Sequence, residues 1–411
     1  MRVDWKAVLG IAVTVFLLWF VFRDVAFAEV WAQTRRGNML LLLAAVAVAT
    51  FGFVIRAARW KILLAPLHPE TELRSRFAAV SVGFMTNNLL PVRMGEFARA
   101  YAFSRVEPVS ASGAFGTLVV ERILDAFTLF GILLVCVAWP AFPGSGVLRE
   151  GPVGAAATAV VLVLGAVLLV MAVVMVRPRP FIRLAVRAAL RLPGDFARPL
   201  VDALRAFLDS FRILRQPVLM VQAVAWSIGF WLFNAVSFYL GMRAFGIRPD
   251  DAFVAALFTQ SVVGFAVALP SAPGFFGTFH WGATWALSNV YGVGQASAAA
   301  FAVAYHFGGW VPITGIGLWY AWKLGLSLGD VRRSEERVEE AVEAEHPETA
   351  RLLAEHRRGG GDGRRRGARR KDHGREGDAA SGDSHEGGAA GVPGGSAGST
   401  RASGSAGTPV P

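Results

Sequence analysis

The sequence is poor in the residues that soluble proteins use for cross-links and for a charged surface. Its 411 residues include one cysteine, Cys136, so an intramolecular disulfide is excluded and a cysteine-based metal site is not indicated. Only 17% of the residues are charged, whereas 54% are hydrophobic and many of these are grouped in long runs. This combination predicts an integral membrane protein.

Several catalytic signatures are also missing. There is no glycine-rich loop of the nucleotide-binding type, no His, Cys or Asp pair with zinc spacing, and no nucleophile elbow. ATP-driven transport by this chain alone is therefore disfavoured, and the sequence predicts no cofactor and no metal. The net charge of +11 comes mostly from basic residues beside the apolar runs and in the C-terminal tail, so nucleic acid is not an expected partner.

The same helix-breaking pattern is present in two places. Residues 83–105 read GFMTNNLLPVRMGEFARAYAFSR, and residues 265–280 read FAVALPSAPGFFGTFH. Both contain Leu-Pro followed by Gly and Phe at the same spacing. Irregular backbone at membrane depth persists only where it is buried in protein or lines a polar cavity, because lipid cannot hydrogen-bond to it. We therefore predict two broken helices, with the breaks at Pro91, Gly95, Pro270, Pro273, Gly274 and Gly277.

The other apolar runs predict about six full spans. They cover residues 7–22, 39–55, 111–139, 151–176, 218–240 and 296–322. Ala26-Phe27-Ala28 resembles a signal-peptidase site, so a cleaved signal is the alternative interpretation of the first run. The charged pair Arg23-Asp24 just before that site, and the membrane domain that follows at once, favour an uncleaved span.

The distribution of Lys and Arg predicts the topology. If the first broken element returns to the face it left, the basic residues of 2–6, 56–76, 177–215 and the tail share one face. We predict that this face is cytoplasmic, with both termini on it, in a bacterial-type inner membrane. The expected fold is an all-α polytopic membrane protein whose two broken elements are re-entrant hairpins of an inverted repeat, although the second could instead cross twice. Secondary transporters have this architecture.

Three segments differ from the rest of the predicted transmembrane domain, residues 1–328. Residues 177–216 predict an amphipathic helix in the headgroup plane or, alternatively, a docking surface for a partner. Residues 329–358 predict a short, charged, solvated helix. Residues 359–411 predict a disordered tail, whose arginine cluster either contacts anionic lipid or has no role. Truncation after Leu328 is therefore expected to leave the fold intact.

Three charged residues interrupt the apolar run of residues 111–139, namely Glu121, Arg122 and Asp125. Residues 126–139 cover about 21 Å at about 1.5 Å per residue, which is less than a hydrocarbon core of roughly 30 Å. The three charges are therefore predicted to lie inside the membrane and to face protein. An unpaired charge there costs about 2.5–3.5 kcal/mol or more.

Partners for these charges are expected near the first break. Arg93, Glu96 or Arg99 can complete a structural ion network with them. The same groups can form a polar pocket for a charged headgroup, since arginine forks suit phosphate, and the two interpretations are compatible. Helix N-termini after Pro91 and after Pro273-Gly274 would add bare N–H groups and a positive dipole end.

Smaller polar groups complete the predicted headgroup site. Asn87 and Asn88 offer amide donors and acceptors at the end of a broken helix, although capping explains them as well. His280 and His306 fall on apolar helices, where a hydrogen-bonded core histidine is the simpler interpretation and proton relay or headgroup contact the alternative. The predicted headgroup-binding residues are Asn87, Asn88, Arg93, Glu96, Arg99, Glu121, Arg122, Asp125 and His280.

Three motifs together resemble one known family. NNLLPVRMGEFARAY, VVERILD and LPSAPGFFGTF are similar to the transmembrane region of lysylphosphatidylglycerol synthases and to the wider flippase-like family, over residues 6–328. The resemblance implies an inner-membrane protein that handles phospholipid or lipid-linked sugar headgroups, with flipping as the proposed activity. The matching motif positions are Asn88, Pro91, Gly95, Glu96, Arg99, Glu121, Arg122, Asp125, Pro270, Pro273, Gly274 and Gly277.

The chain departs from the family pattern in two respects. His280 stands where the family usually has a glutamate, so the second hairpin lacks that charge. Full synthases also append a soluble aminoacyl-transferring domain, which this sequence does not contain, so synthase activity is not expected.

The sequence thus predicts binding and translocation of an anionic phospholipid or lipid-linked glycan. One alternative is an intramembrane transferase with Glu96, Glu121 or Asp125 as base. The other is a non-transporting partner that presents lipid to a separate synthase or glycosyltransferase.

Overall fold

The computed structural model describes residues 5–23, 26–90, 94–143, 216–269 and 271–345, with a few isolated helical positions between 162 and 173. All of them belong to the first of two units of the chain, Met1–Ala354. Regular structure in the described residues is entirely helical, which confirms the all-α prediction there. Two helices, Met39–Leu64 and Pro217–Ala244, are long and apolar enough to span a membrane. The count of six spans and the re-entry of the broken elements stay predictions.

The first half of the described chain contains six helices. They are α1 (Trp5–Phe22), α2 (Phe27–Arg36), α3 (Met39–Leu64), α4 (Leu73–Leu89), α5 (Gly95–Ser104) and α6 (Ala111–Ala138). Side-chain caps fix two of the helix starts: Asn38 accepts a hydrogen bond from Leu41 N before α3, and Ser110 accepts one from Gly113 N before α6. The predicted break between α4 and α5 is present, although residues 91–93 lie outside the described part.

The second half of the described chain contains six helices and two single turns. It contains α7 (Pro217–Ala244), α8 (Ala252–Ala266), a 3-10 turn (Pro273–Phe275), α9 (Thr278–Trp285), a π-helical turn (Ala286–Val290), α10 (Gln295–Lys323), α11 (Leu328–Arg332) and α12 (Ser334–Glu345). The second predicted break therefore falls between α8 and α9, with Pro270 outside the described residues. The predicted amphipathic helix of residues 177–216 also lies outside them, except for its last residue.

The helix pairs that pack together correspond between the halves. α3 packs against α7, α4 against α10, and α6 against α8. Within the first half α3 contacts α4, α4 contacts α5 and α5 contacts α6, while within the second α7 contacts α8, α8 contacts α9 and α9 contacts α10. Two apolar cores lie in the bundle, one around Trp60 and Phe103 and the other around Phe301 and Met242. Ala321 of the second half joins the first core, and Ala45 of the first half joins the second.

Helix α1 is bound to the second break. The Thr14 hydroxyl accepts a hydrogen bond from Ala272 N at 2.8 Å and donates one to the Phe276 carbonyl at 3.0 Å, so it joins both sides of the 3-10 turn. A side chain at Gly277 would lie 3.0 Å from the Thr14 backbone, which leaves no room for a Cβ. The first apolar run is thus packed into the bundle.

The C-terminal helices differ from the sequence prediction. α12 packs against α5 and α6 and is not wholly solvated, because Ser334 and Val338 are buried, as is Val331 of α11 just before it. A capping box between Ser327 and Asp330 starts α11, and the hydrogen bonds from Ser327 lower the pKa of the Asp330 carboxyl. The prediction that nothing beyond Leu328 joins a core was therefore wrong. The predicted tail, residues 359–411, lies outside the described residues.

Candidate functional site

Five charged side chains from three helices form one buried ion network: Arg56, Arg59, Arg99, Glu121 and Asp125. Arg56 of α3 donates hydrogen bonds to Glu121 Oε1 at 2.7 Å and to Asp125 Oδ2 at 3.1 Å. Arg59, one turn further along α3, donates to Asp125 Oδ1 at 2.6 Å and lies 3.3 Å from Glu121 Oε1. Arg99 of α5 donates to both oxygens of Glu121, at 2.9 and 3.0 Å, in the bidentate geometry that makes arginine–carboxylate pairs strong.

Helix α7 closes the ion network from the other half of the chain. Arg59 also donates to Ser227 Oγ at 3.1 Å, and Trp231 Nε1 donates to Asp125 Oδ1 at 3.1 Å. The side chain of Glu121 is 0% exposed and that of Arg59 is 1% exposed. The ion network is thus shared between the two halves and withdrawn from solvent.

Aromatic rings cover the arginine side chains of the ion network. The Arg99 Cζ atom lies 4.0 Å from the centre of the Trp60 ring, and the Arg56 Cζ atom lies 4.5 Å from that of Phe230. Such cation–π contacts contribute about 0.5–2 kcal/mol each, most where water is excluded. They also hold the planar guanidinium groups in fixed orientations.

The ion network carries more positive than negative groups. It holds three guanidinium groups and two carboxylates, which leaves one positive charge in excess. The Nε atoms of Arg56, Arg59 and Arg99 are buried, and none has a hydrogen-bond acceptor among the described residues. A buried charge without a counter-charge is costly, so the site has the electrostatics and the spare donors to accept an anion.

Arg122 and Glu96 form the accessible edge of this site. The Arg122 side chain is 41% exposed and that of Glu96 is 29% exposed, and their closest atoms, Arg122 Nε and Glu96 Oε1, are 3.4 Å apart. Arg122 also lies 3.5 Å from Glu121 and 3.7 Å from Asp125, the latter being the predicted i,i+3 pair. The edge pair is neutral as a whole, so the excess charge of the site is unchanged.

The predicted asparagines have partners within the protein. Asn87 Oδ1 accepts a hydrogen bond from Gly95 N at 2.8 Å, and Asn88 Nδ2 donates to Thr314 Oγ1 of α10 at 2.8 Å. A Cβ at Gly95 would overlap the Gly83 carbonyl and the Asn87 side chain, which explains a glycine where α5 crosses α4. Both asparagines therefore stabilise contacts within the protein, and their contact with a headgroup stays a prediction.

The second break has the backbone conformations that its glycines suggested. Gly274 and Gly277 have φ of 72° and 82°, and Phe275 between them has φ of 61°, which is uncommon for a residue with a side chain. Strained backbone of this kind concentrates at functional sites. α4 packs against the 3-10 turn, so the helix that leads into the first break contacts the second break.

His280 belongs to a separate, uncharged cluster. Its ring lies 5.0 Å from that of His306 and 5.9 Å from that of Phe276, measured between centroids. Both histidines are buried, and the Nδ1 atom of each has no acceptor or donor among the described residues. His280 therefore does not join the ion network within the described part of the chain. Arg93, the remaining predicted ligand, lies outside it.

Sequence reasoning missed Arg56 and Arg59 as site residues. Together with Arg76, which donates to the Ala57 carbonyl at 2.9 Å, they were counted as surface charges for the topology, but all three are buried. The length argument that places Glu121 inside the membrane would have found them. The run of residues 39–55 covers only about 25 Å at about 1.5 Å per residue, which is also shorter than the hydrocarbon core.

No group of His, Cys, Asp and Glu in the described residues could hold a metal ion. The ion network itself offers charged hydrogen bonds and carboxylates held among arginines.

Known proteins similar to this chain are membrane proteins and a glycosyltransferase. A UPF0104 membrane protein of Methanocaldococcus jannaschii is 40% identical over 86 residues, covering 19% of this chain and 26% of its own length. Glycosyltransferase AglD of Haloferax volcanii is 23% identical over 326 residues, covering 73% of this chain and 51% of its own length. A UPF0104 membrane protein of Methanothermobacter thermautotrophicus is 28% identical over 116 residues, covering 26% of this chain and 34% of its own length. The chain thus spans between about a quarter and a half of the relatives it matches.

A family model carries the assignment further. The model described as the lysylphosphatidylglycerol synthase TM region matches residues 7–317, which include both breaks and every described member of the ion network. This confirms the resemblance seen in the three motifs and the membrane character of the chain. The protein belongs to the family of lysylphosphatidylglycerol synthase transmembrane regions.

Proposed function

We propose that this protein binds the anionic headgroup of a phospholipid or lipid-linked glycan at the ion network and moves it across the membrane. The observation that carries the proposal is the excess of buried arginine over buried carboxylate. A purely structural network would be expected to balance its charges, because each uncompensated buried charge is costly. A phosphate group supplies the missing negative charge and matches the arginine fork.

The accessible edge gives the headgroup a route in. The Arg122–Glu96 contact is long, at 3.4 Å, and partly exposed, so its loss costs little compared with the loss of a buried pair. A phosphate that takes the place of Glu96 at Arg122 would then face Arg99, Arg56 and Arg59 in turn. Exchange of one ion pair for another lets the headgroup enter without leaving an arginine unpaired.

The pattern of helix packing supports a transporter architecture. Arg59 and Glu121 are the twenty-first residue of α3 and the eleventh of α6, and they form an ion pair. The twenty-first residue of α7 and the eleventh of α10 are Ser237 and Tyr305, and their hydroxyls form a hydrogen bond of 2.7 Å. The same two positions therefore meet in both halves, as expected of two structural repeats. Related repeats whose broken helices meet near the midplane are typical of secondary transporters.

The remaining features of the proposal follow the sequence. The transmembrane domain covers residues 1–328 with about six spans, and its two broken elements re-enter as an inverted repeat. The protein lies in a bacterial-type inner membrane with both termini in the cytoplasm. The interfacial helix of residues 177–216, the charged short helix of residues 329–358 and the disordered tail of residues 359–411 stay predictions from the sequence.

The names of the matched proteins suggest two lipid classes. One name is that of a lysylphosphatidylglycerol synthase, and the other is that of a glycosyltransferase. The second name favours a lipid-linked glycan, with a separate synthase or glycosyltransferase as the partner that makes or uses it. Intramembrane transfer and lipid presentation without transport are the alternatives that the experiment must separate.

Reconstitution into liposomes tests the proposal. Vesicles are loaded with fluorescent phosphatidylglycerol or phosphatidylcholine, and the fraction of label protected from a membrane-impermeant quencher is followed over time. We expect faster loss of protected phosphatidylglycerol than of phosphatidylcholine, and we expect Arg122→Ala to slow it at least tenfold. Arg105→Ala, a change at an exposed arginine outside the site, is the matched control.

The outcomes separate the three functions. Movement of label without chemical change supports transport. A new lipid species in the mass spectrum would assign a transferase instead, and saturable binding with no movement would assign lipid presentation. Equal rates for both lipids, unaffected by Arg122→Ala, would overturn the role of the ion network.

A further inference from the structure

A cavity lies at one end of the bundle, away from the ion network. Its volume is about 380 Å³, and it opens between the end of α1 and the segment that follows the second break. Pockets of about 300–1,000 Å³ are the usual size for small-ligand sites. The residues that matter for its chemistry are Phe20, Trp281, Trp285, Ser288, Asn289 and Gln295.

The walls of this cavity combine flat rings and neutral hydrogen-bonding groups with one cation, Arg23. Trp281 and Trp285 are half-buried, and their ring centroids are 6.5 Å apart. Ser288, Asn289 and Gln295 contribute a hydroxyl and two amides, which can donate as well as accept. Sugars need this combination, because the C–H groups on a pyranose face pack against an indole while the hydroxyls at its rim exchange hydrogen bonds with amides.

The irregular backbone beside the cavity is of a kind found at binding sites. Ser288 and Asn289 lie on the π-helical turn, Ala286–Val290, and such turns occur mostly at functional positions. The Ser288 hydroxyl oxygen is buried and has no hydrogen-bond partner among the described residues. A buried hydroxyl without a partner is costly, and a ligand hydroxyl at this place would satisfy it.

An aromatic belt is the simpler explanation for tryptophans at the end of a transmembrane bundle. Belt residues act singly, however, with their rings among lipid headgroups. Here two tryptophans share one cavity with a hydroxyl and two amides, and a belt does not require that arrangement.

The cavity and the ion network lie at different heights along the bundle. The cavity is at the end where α10 begins, with Gln295. α3 begins at the same end, since Asn38 N donates to the Ala244 carbonyl at 2.8 Å and Val30 packs on Ala299 and Ala300. Arg56 is the eighteenth residue of α3, about 25 Å further along at about 1.5 Å per residue.

We propose that this cavity binds the sugar of a lipid-linked glycan, so that the transported lipid is a glycosylated one. The inference rests on the proposed function, in which the ion network binds the phosphate. The two sites are about 25 Å apart along the bundle, so a sugar attached directly to the phosphate occupies the cavity at a different stage of the passage from the stage at which the phosphate is at the ion network. The lipid class is thereby narrowed from any anionic phospholipid to an anionic lipid that carries a sugar.

The test compares two lipids that differ by one sugar. The full chain is placed in phosphatidylcholine nanodiscs and titrated with a short polyprenyl phosphate, bare or carrying one hexose, and binding is measured by native mass spectrometry. We expect at least tenfold tighter binding of the hexosyl form. Trp285→Ala and Asn289→Ala should each remove this preference and leave binding of the bare phosphate unchanged. Trp226→Ala, at a tryptophan of α7 that is 43% exposed and outside the cavity, should keep the preference.

Two controls keep the outcome clear. Melting temperatures show whether each variant is folded, and Asn289→Ala changes an exposed side chain, so it remains informative if Trp285→Ala unfolds the protein. Equal affinity of the wild type for the two lipids would overturn the proposal, as would an undiminished preference in Asn289→Ala. A free hexose that binds as tightly as the hexosyl lipid would assign the cavity to a soluble sugar instead. Failure of the phosphate site would appear separately, as lack of binding of the bare polyprenyl phosphate.

Discussion

Glu121 faces four guanidinium groups with a single carboxylate. Its Oε1 atom accepts hydrogen bonds from Arg56 and Arg99 and lies 3.3 and 3.5 Å from nitrogen atoms of Arg59 and Arg122. Asp125 accepts hydrogen bonds from two of these arginines, Arg56 and Arg59. Removal of the Glu121 charge therefore affects more of the ion network than removal of any other member.

We predict that Glu121→Gln, or the larger change Glu121→Ala, destabilises the protein severely. Loss of one partner of a buried ion pair costs about 3–5 kcal/mol, because the remaining charge stays buried without compensation. The measurement is the melting temperature and expression level in detergent or nanodiscs. Glu96→Gln is the control, since that side chain is 29% exposed and contacts Arg122 alone within the site. Equal melting temperatures for the two variants would contradict the central position of Glu121.

Residue-level prediction from the sequence succeeded where a local argument was available. The inward direction of Glu121, Arg122 and Asp125 followed from the length of the apolar run, and the structure pairs all three. The length argument was not applied to the run that ends before Arg56 and Arg59, so both were missed. The partners of Arg59 on α6 and α7 could not be predicted, because no local pattern shows which helices will be neighbours. The same holds for Thr14, whose bonds to the second break join residues 258 and 262 positions apart.

The crossing of α4 and α5 depends on two glycines that face one another. We predict that Gly95→Ala lowers the stability by about 1–3 kcal/mol or more, because the added Cβ overlaps the Gly83 carbonyl and the Asn87 side chain. Gly131→Ala is the matched control, since nothing lies within 4 Å of a Cβ there. That control should be neutral or slightly stabilising, by up to about 1 kcal/mol, as in any helix interior. A melting temperature of Gly95→Ala equal to that of Gly131→Ala would show that the two helices can separate freely.

The C-terminal helix α12 contributes to the stability of the fold. Val338 of α12 is 2% exposed and Val331 of the adjoining α11 is 1% exposed. Full burial of a valine stabilises by roughly 1.5–3 kcal/mol before the entropy of ordering the segment is subtracted. We predict that truncation after Leu328 lowers the melting temperature, whereas removal of residues 346–411 leaves it unchanged. Within the full chain, Val338→Asp should reproduce the loss and Arg337→Ala should not, since the Arg337 side chain is 57% exposed. Identical melting curves for the two truncated chains would contradict this prediction and would show that α12 is a solvated helix, as its composition predicts.

At the level of helices, the sequence predicted the two breaks better than it predicted the features that depend on long-range packing. Proline and glycine interrupt helices through local backbone chemistry, so both breaks could be found from composition and spacing. The π-helical turn and the burial of α12 arise from packing between distant segments. α12 has the composition of a solvated helix, with six acidic residues in SEERVEEAVEAE, and only its two valines and two alanines hint at a buried face.

At the scale of the whole molecule, the two breaks are the part of the proposal that is easiest to test. We predict that Met94→Cys and Ala272→Cys, on a background in which Cys136 is replaced, react with a small charged thiol reagent and that bound lipid protects both. Both positions are partly buried and lie beside the breaks. Phe51→Cys is the control, because that side chain is 55% exposed in the middle of α3 and should meet only lipid, where a charged reagent is absent. Unreactive cysteines at both breaks would remove the polar cavity, and with it the transport proposal.

The matched positions of the two halves carry different chemistry. Arg59 and Glu121 are ionised groups, whereas Ser237 and Tyr305, at the same places in α7 and α10, are neutral. Similarly, Arg122 corresponds to His306, the twelfth residue of its helix in each case. If the two halves were identical, a transport cycle in which they exchange conformations would have inward-open and outward-open states of equal energy. Under the proposed transport, the headgroup passes from the charged half to an uncharged one, so the two end states differ in energy and an empty carrier rests preferentially in one of them. In that case direction is built into the scaffold as a resting orientation, before any external energy source acts.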